Sequence, residues 1–351
     1  MIDVTQTLLT LSACTGVAGA EQPVAQLVSG MLAPCAQSVF IDPLGSVLAT
    51  LCEPQSGYPT ILLDAHMDEI GMIVTYIDDN GFLKVGSCGG VDRRLLLAQR
   101  VTVHGKEPVF GVVAAHSPHL STGEERKKVP EMDDILIDIG CSRERAMELV
   151  RPGDRVTIES QAFSMQNGRV CAKASDDRAG VAAVLRAAEL IKEAAPRCGV
   201  KALLSVQEET GERGAKAAGF TADCDIALAV DVSFALTSDA PEHKCGKLGE
   251  GPMIGIAPTL TKSISDEFIR LAKELKIPYQ IEVMAGETST NADALGVAGK
   301  GAKTGLLSIP LRYMHTPVEV TQPQDIEHTA RLLAEFVIRM GKQKEGCTHA
   351  V

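Results

Sequence analysis

Apolar and polar positions change their period twice along this chain. Between residues 5 and 33, Leu8, Leu9, Val24, Leu27, Val28 and Leu32 recur at roughly helical spacing, with a break near Thr15-Gly16. Val39-Phe40-Ile41, a turn at Gly45, and Ser46 to Leu51 predict a hairpin. Thr60-Ile61-Leu62-Leu63 is apolar on both faces, as a central parallel strand would be. From about residue 71 to 160 the texture changes to short β-rich pieces between Gly and Pro turns: Met72 to Ile77, Phe82 to Val85, Val101 to Val103, Val109 to Val113 and Val156 to Ile158. One helical insert, Ser142 to Leu149, interrupts them. This stretch predicts a small β-barrel or sandwich-like domain.

After Asp176-Asp177 the pattern alternates between strand and helix. Val181, Val184, Leu185, Ala188 and Ile191 share one face of a helix from about Arg178 to Glu193. Strands then fall at Lys201 to Val206, Ile226 to Val230, Tyr279 to Val283 and Thr304 to Ile309. Helices fall at Gly214 to Ala218, Ser263 to Leu275, Asn291 to Gly296 and Pro323 to Met340. Such alternation predicts an α/β fold, a mostly parallel sheet flanked by helices, with the small β-barrel inserted. The expected domains are a discontinuous catalytic unit, 1–70 and 161–351, and an inserted β-rich unit, 71–160.

Length and charge narrow the function. At 351 residues the chain favours two domains over one. A net charge of -11, no dense Lys/Arg cluster and 3% aromatics argue against nucleic acid as a partner. No apolar run reaches the roughly 18 residues a membrane span needs. Met1-Ile2-Asp3-Val4 carries an acid where a signal peptide has basic residues. The ten cysteines show no CxxC or paired spacing and read as reduced thiols. A cytoplasmic protein is expected.

The chemistry gathers at strand-to-loop junctions, where open α/β sheets place their ligands. His66 and Asp68 follow the strand at 60–63, Glu208 and Glu209 that at 201–206, Asp231 that at 226–230, and His315 that at 304–309. Asp176 and Asp177 enter at a helix start. Singly, each has an ordinary reading: Asp as an N-cap, His66 as a core histidine, Glu208-Glu209 as a solvated turn, Asp231 and His315 as loop residues. Together they form the mixed imidazole and carboxylate set that zinc or cobalt ligation needs. His66 and Asp68 are two residues apart and point the same way in extended chain, so Asp68 can orient the ring of His66. Glu208 and Glu209 point apart, so one can ligate while the other moves protons. Three carboxylates, Asp176, Glu209 and Asp231, against two divalent ions leave a slightly positive site, suited to a hydroxide nucleophile. No His-Glu-x-x-His, Gly-x-x-x-x-Gly-Lys-Ser/Thr or Gly-x-Ser-x-Gly run is present, and Gly86-Ser87-Cys88-Gly89-Gly90 does not open a helix.

The segments Ala65 to Gly71, Ala174 to Arg178, Gln207 to Gly211, Val230 to Val232, Lys247 to Pro252 and Gly305 to Pro317 resemble, in order and spacing, the tetrahedral cytosolic dinuclear metallo-aminopeptidases. That family includes glutamyl, leucyl, lysyl and deblocking aminopeptidases, with some members described as endoglucanases. The resemblance implies a zinc-peptidase-like catalytic domain and a PDZ-like dimerisation domain. It implies His66, Asp176, Glu209, Asp231 and His315 as ligands of two divalent ions, zinc, cobalt or manganese. Asp176 is then the bridge, Glu208 the general base and Asp68 the support of His66. A cis peptide at Asp176–Asp177 and dimers assembling to a dodecamer are implied as well. Gly286 to Asp293 departs from the family's Gly-Gly-Thr-Asp-Ala run, which bears on substrate choice.

The expected activity is removal of N-terminal residues from short peptides by a hydroxide held between two ions. The other readings are a deacylase of N-blocked substrates, a glycan hydrolase, or a non-catalytic scaffold with a structural metal site.

Overall fold

The computed structural model describes residues 2–115, 117–120, 122–123 and 128–342. Two helices, α1 (Val4–Ala13) and α2 (Gln22–Leu32), lead into β1 (Ser38–Ile41), β2 (Val47–Cys52) and β3 (Thr60–His66). Asp3 caps α1 by accepting from Thr5 N and Gln6 N, as a favoured N-cap residue does. Six strands follow: β4 (Gly71–Ile77), β5 (Leu83–Cys88), β6 (Arg100–His104), β7 (Pro108–Val113), β8 (Leu136–Asp138) and β9 (Arg155–Ile158). They close into a barrel in the order β4-β5-β8-β7-β6-β9, and helix α3 (Arg143–Leu149), capped by Ser142, interrupts them. β8 escaped the sequence reading because three residues show no measurable alternation.

The chain then returns through β10 (Phe163–Ser164) and β11 (Val170–Ala172) to α4 (Ser175–Ala194). There follow β12 (Gly199–Ser205), α5 (Arg213–Ala222), β13 (Ile226–Phe234), β14 (Met253–Ile256), α6 (Lys262–Leu275), β15 (Gln280–Val283), α7 (Asn291–Val297), β16 (Lys303–Arg312), β17 (Glu319–Thr321) and α8 (Pro323–Met340). The large sheet runs β1-β2-β12-β3-β13-β16-β17-β11-β10, with β14 and β15 branching from β16.

The expectation of a mostly parallel sheet needs correcting. Only the four central strands, β12, β3, β13 and β16, pair parallel with one another, with β14 and β15 parallel at the branch. The flanks are antiparallel: β2 arrives by a hairpin, β17 turns back beside β16, and β11 runs against β17. The parallel core is what matters chemically: its four carboxyl ends point to one side, and every candidate group except Asp176 and Asp177 lies near or beyond them.

Four apolar clusters form among the described residues, two of them small. The largest lies between α4, α8, α1 and the sheet, and the barrel has its own, built from Met72, Val85, Val101, Ile137, Val156 and their neighbours. α4 is buried along most of its length rather than on one face, consistent with its Ala-rich sequence. In the largest core, Phe268 of α6 meets Phe336 of α8 with ring centroids 4.9 Å apart. Both rings are fully buried. Replacing Phe336 by alanine is expected to cost about 3–5 kcal/mol of stability, read as a lower urea midpoint with an unchanged slope.

Candidate metal centre

The site assembles at the carboxyl ends of the parallel strands. His66 is the last residue of β3, and Ser205 of β12 lies beside it in register. Asp231 lies within β13, which continues three residues past it to Phe234, rather than in the loop expected after residue 230. Glu208 and Glu209 follow β12, and His315 follows β16.

Asp176 sits between two imidazoles. Its Oδ1 is 3.1 Å from His66 Nε2, and its Oδ2 is 3.1 Å from His315 Nε2. His315 Nε2 is also 3.1 Å from Glu209 Oε1, and His66 Nε2 is 4.0 Å from Asp231 Oδ1. The five expected ligands therefore converge on two adjacent foci that share Asp176. Asp177 joins His66 and Asp231 in a second set of donor atoms close enough for one ion.

The Asp176-Asp177 pair divides its work. The backbone of both is non-helical at the start of α4, and the peptide between them is cis, as the family resemblance implies. Asp177 Oδ1 accepts from Gly180 N at 2.8 Å, so the capping reading holds for Asp177 while Asp176 faces the histidines. Arg178 is not part of the site. It is fully buried and its Nη1 donates to Leu11 O and Cys14 O, tying α4 to the end of α1.

Carboxylates behind the site hold its loops. Asp68 lies 3.4 Å from His66 Nδ1, but that nitrogen makes no aligned hydrogen bond. Instead the two oxygens of Asp68 accept from Glu208 N at 3.0 Å and Glu209 N at 3.2 Å. Asp68 thus positions the Glu-Glu turn as well as standing beside His66. Glu21 completes that turn by accepting from Gln207 N at 3.2 Å. Replacing Asp68 by alanine is expected to lower metal affinity about 10- to 100-fold, measured by chelator competition.

Glu319 was not singled out from the sequence. It is buried on β17 opposite Ala172, and its carboxylate accepts from His315 N at 2.9 Å and Asp176 N at 3.2 Å. One acid therefore ties together two loops far apart in the chain. The only sequence signal was an acid four residues past His315, which has no meaning until β17 and β11 pair.

Burial and charge set the protonation. Burial pushes the Glu208 carboxyl up to about 7, with Glu209, Asp68 and Asp176 adding to the rise and His66 opposing it. Burial also opposes ionisation of Asp176, but hydrogen bonds from His315 and His66 outweigh it and hold that carboxyl below the usual range. The same contacts with Asp176 and Glu209 push His315 up to about 11.

Two loops complete the surroundings. Gly249 N and Gly251 N both donate to Asp325, fixing the Lys247–Pro252 loop. In the departing segment, Asn291 Nδ2 donates to Asp64 Oδ2 and Ser205 Oγ, so it sits under the ends of β3 and β12. Gly89 and Gly90 press against the site: a Cβ at Gly90 would lie 2.5 Å from His315 Nδ1.

Residues 45–332 match the family described as M42 glutamyl aminopeptidase. A lysyl aminopeptidase of Pyrococcus furiosus is 33% identical over 90% of this chain and 92% of its own. The solved aminopeptidase of Desulfurococcus kamchatkensis superposes with a TM-score of 0.89 at 30% identity, covering 99% of this chain and 98% of that one. The TET1 peptidase of Pyrococcus horikoshii, described as assembling into a tetrahedron or a large octahedral shell, gives 0.85 at 31% identity, over 95% and 99%.

Proposed function

The chain belongs to the M42 glutamyl aminopeptidase family and is a metal-dependent aminopeptidase, and we propose that it removes N-terminal residues from short peptides with two divalent ions held by His66, Asp176, Glu209, Asp231 and His315. The observation that carries this reading is Asp176, whose two oxygens face different imidazoles at 3.1 Å each. Two ligands of one tetrahedral zinc with bonds of 2.0–2.1 Å lie about 3.3 Å apart, so the donor atoms already stand near ligating separation. Imidazole and carboxylate in this mixture suit zinc, and cobalt and manganese as alternatives.

When bound, the ions supply Lewis acidity toward a peptide carbonyl and toward a water molecule. Glu208 acts as the general base, taking the proton of the attacking water and passing it to the leaving amine. Asp68, through Glu208 N and Glu209 N, holds the base and a ligand in fixed relation. Glu319 does the same for His315 and Asp176.

Our proposed domain division takes 1–70 and 161–351 as the catalytic unit and 71–160 as an inserted PDZ-like unit that forms dimers, supported by the separate apolar core of the barrel. The assembly of the Pyrococcus horikoshii relative supports a dodecamer built from such dimers, and Phe110, 72% exposed on the barrel, supplies apolar surface for it. No helix among the described residues is long and apolar enough to cross a membrane. We place the enzyme in the cytoplasm, a reading supported by nine unbridged cysteines among the described residues.

A panel of aminoacyl-anilides, with zinc, cobalt or manganese added to chelated protein, tests this. Turnover that returns with metal and differs among first residues is expected. Turnover indifferent to chelator would overturn it.

A further inference from the structure

We propose that the cavity between the barrel and the large sheet receives the side chain of the substrate's second residue, and that this side chain is apolar. The proposal rests on the aminopeptidase reading above. The space between barrel and sheet measures about 600 Å³, open solvent included. Asp176, Glu209 and His315 form one end of it. Ile70, Met72, Val91, Leu95, Leu96 and Ile158 supply apolar wall, and all but Ile70 come from the barrel strands or the loop joining β5 to β6.

Apart from Asp176 and Glu209, which are proposed to hold the ions, each acid lining the cavity is already engaged by a cation or by backbone amides. Glu69 pairs with Lys173 at 2.5 Å and accepts from Gly16 N at 3.0 Å. Asp92 is gripped by Arg94 through Nε at 2.9 Å and Nη2 at 2.6 Å. Glu319 is engaged by two backbone amides. A charged side chain entering here would lose its water and find no free partner, whereas an apolar one would gain from burial.

The direction of the substrate follows from where a carboxylate remains that neither a cation nor a backbone amide engages among the described residues. An exopeptidase must place the cationic N-terminus of its substrate. At the other focus, whose His66 and Asp231 do not line the cavity, Asp231 and Ser233 share a face of β13, and Ser308 lies beside Asp231 in register. Both hydroxyls donate to Glu282, a half-buried acid with no ion pair to Lys or Arg among the described residues. The ammonium belongs on that side. The chain beyond the scissile bond then runs past Glu209 and His315 into the cavity, so the cavity holds the second side chain and not the first.

The test compares dipeptides with leucine first and leucine, phenylalanine, lysine or glutamate second, beside leucinamide, which has no second side chain. kcat/KM for Leu-Leu and Leu-Phe is expected to exceed that for Leu-Lys and Leu-Glu by about tenfold or more. Leu95→Glu is expected to reverse the order of Leu-Leu and Leu-Lys while leucinamide is cleaved at the parental rate, with Val91→Glu as a second variant should the first fold poorly. Calorimetric titration of the Glu208→Gln protein with Leu-Leu and Leu-Lys reads the same preference without turnover. Equal kcat/KM across the second residues, or variants that change leucinamide and dipeptides by one common factor, would overturn the subsite. Cleavage of none of these substrates would instead remove the aminopeptidase reading, and the calorimetric preference would still decide the cavity.

Discussion

Glutamine in place of Glu208, the proposed general base, is expected to lower kcat by about two to four orders of magnitude while leaving the proposed pair of ions bound. The substitution keeps the size of the side chain and the backbone amide that donates to Asp68, so the turn that carries Glu209 stays in place. Stoichiometry should therefore stay at two ions by elemental analysis while single-turnover hydrolysis of an aminoacyl-anilide slows. A variant that turns over at the parental rate assigns the base elsewhere. A variant that loses an ion makes Glu208 a ligand instead.

Asp176→Ala is the second severe substitution. One carboxylate faces both His66 and His315, so its removal opens both foci at once, whereas His315→Ala opens one. The expected result is loss of both ions from Asp176→Ala after dialysis, with activity below detection even when zinc is added. His315→Ala retains one ion. The buried Asp177 and Glu319 would then lie beside an uncompensated pair of histidines, but the core of α4 is apolar and the fold persists in circular dichroism. Retention of one tightly held ion by Asp176→Ala would show that the two foci do not share it.

Much of this molecule was legible because its sequence keeps local rules. The 3.6-residue pattern of 323–340 predicted the last helix to the residue. The change to short alternating pieces at 71–160 predicted a small barrel or sandwich-like unit, and the strands β4 to β9 of the closed barrel lie within that range. The strand ends carried the candidate groups because parallel strands send their carboxyl ends to one side. Elements that depend on distant partners were missed. β14 and β17, of four and three residues, exist because β16 offers them edges to pair with. β13 runs on to Phe234 because β16 extends alongside it to Leu311.

The same division holds at the site. Residue types and spacing determined which acids and imidazoles could gather, since a metal constrains the chemistry of its ligands more than their positions in the chain. The tertiary structure decided how the remaining acids are used. Asp68 spends its oxygens on the amides of Glu208 and Glu209, and Glu319 joins His315 to Asp176, because hydrogen bonds across 140 and 143 residues form only once the sheet has closed. It also decided that the barrel reaches the reacting groups, through an approach at Gly89 and Gly90 that no local pattern encodes. Local periodicity is written in neighbouring residues. The contacts that give an acid its task are not, because they depend on which distant backbone amides the folded chain leaves in need of an acceptor.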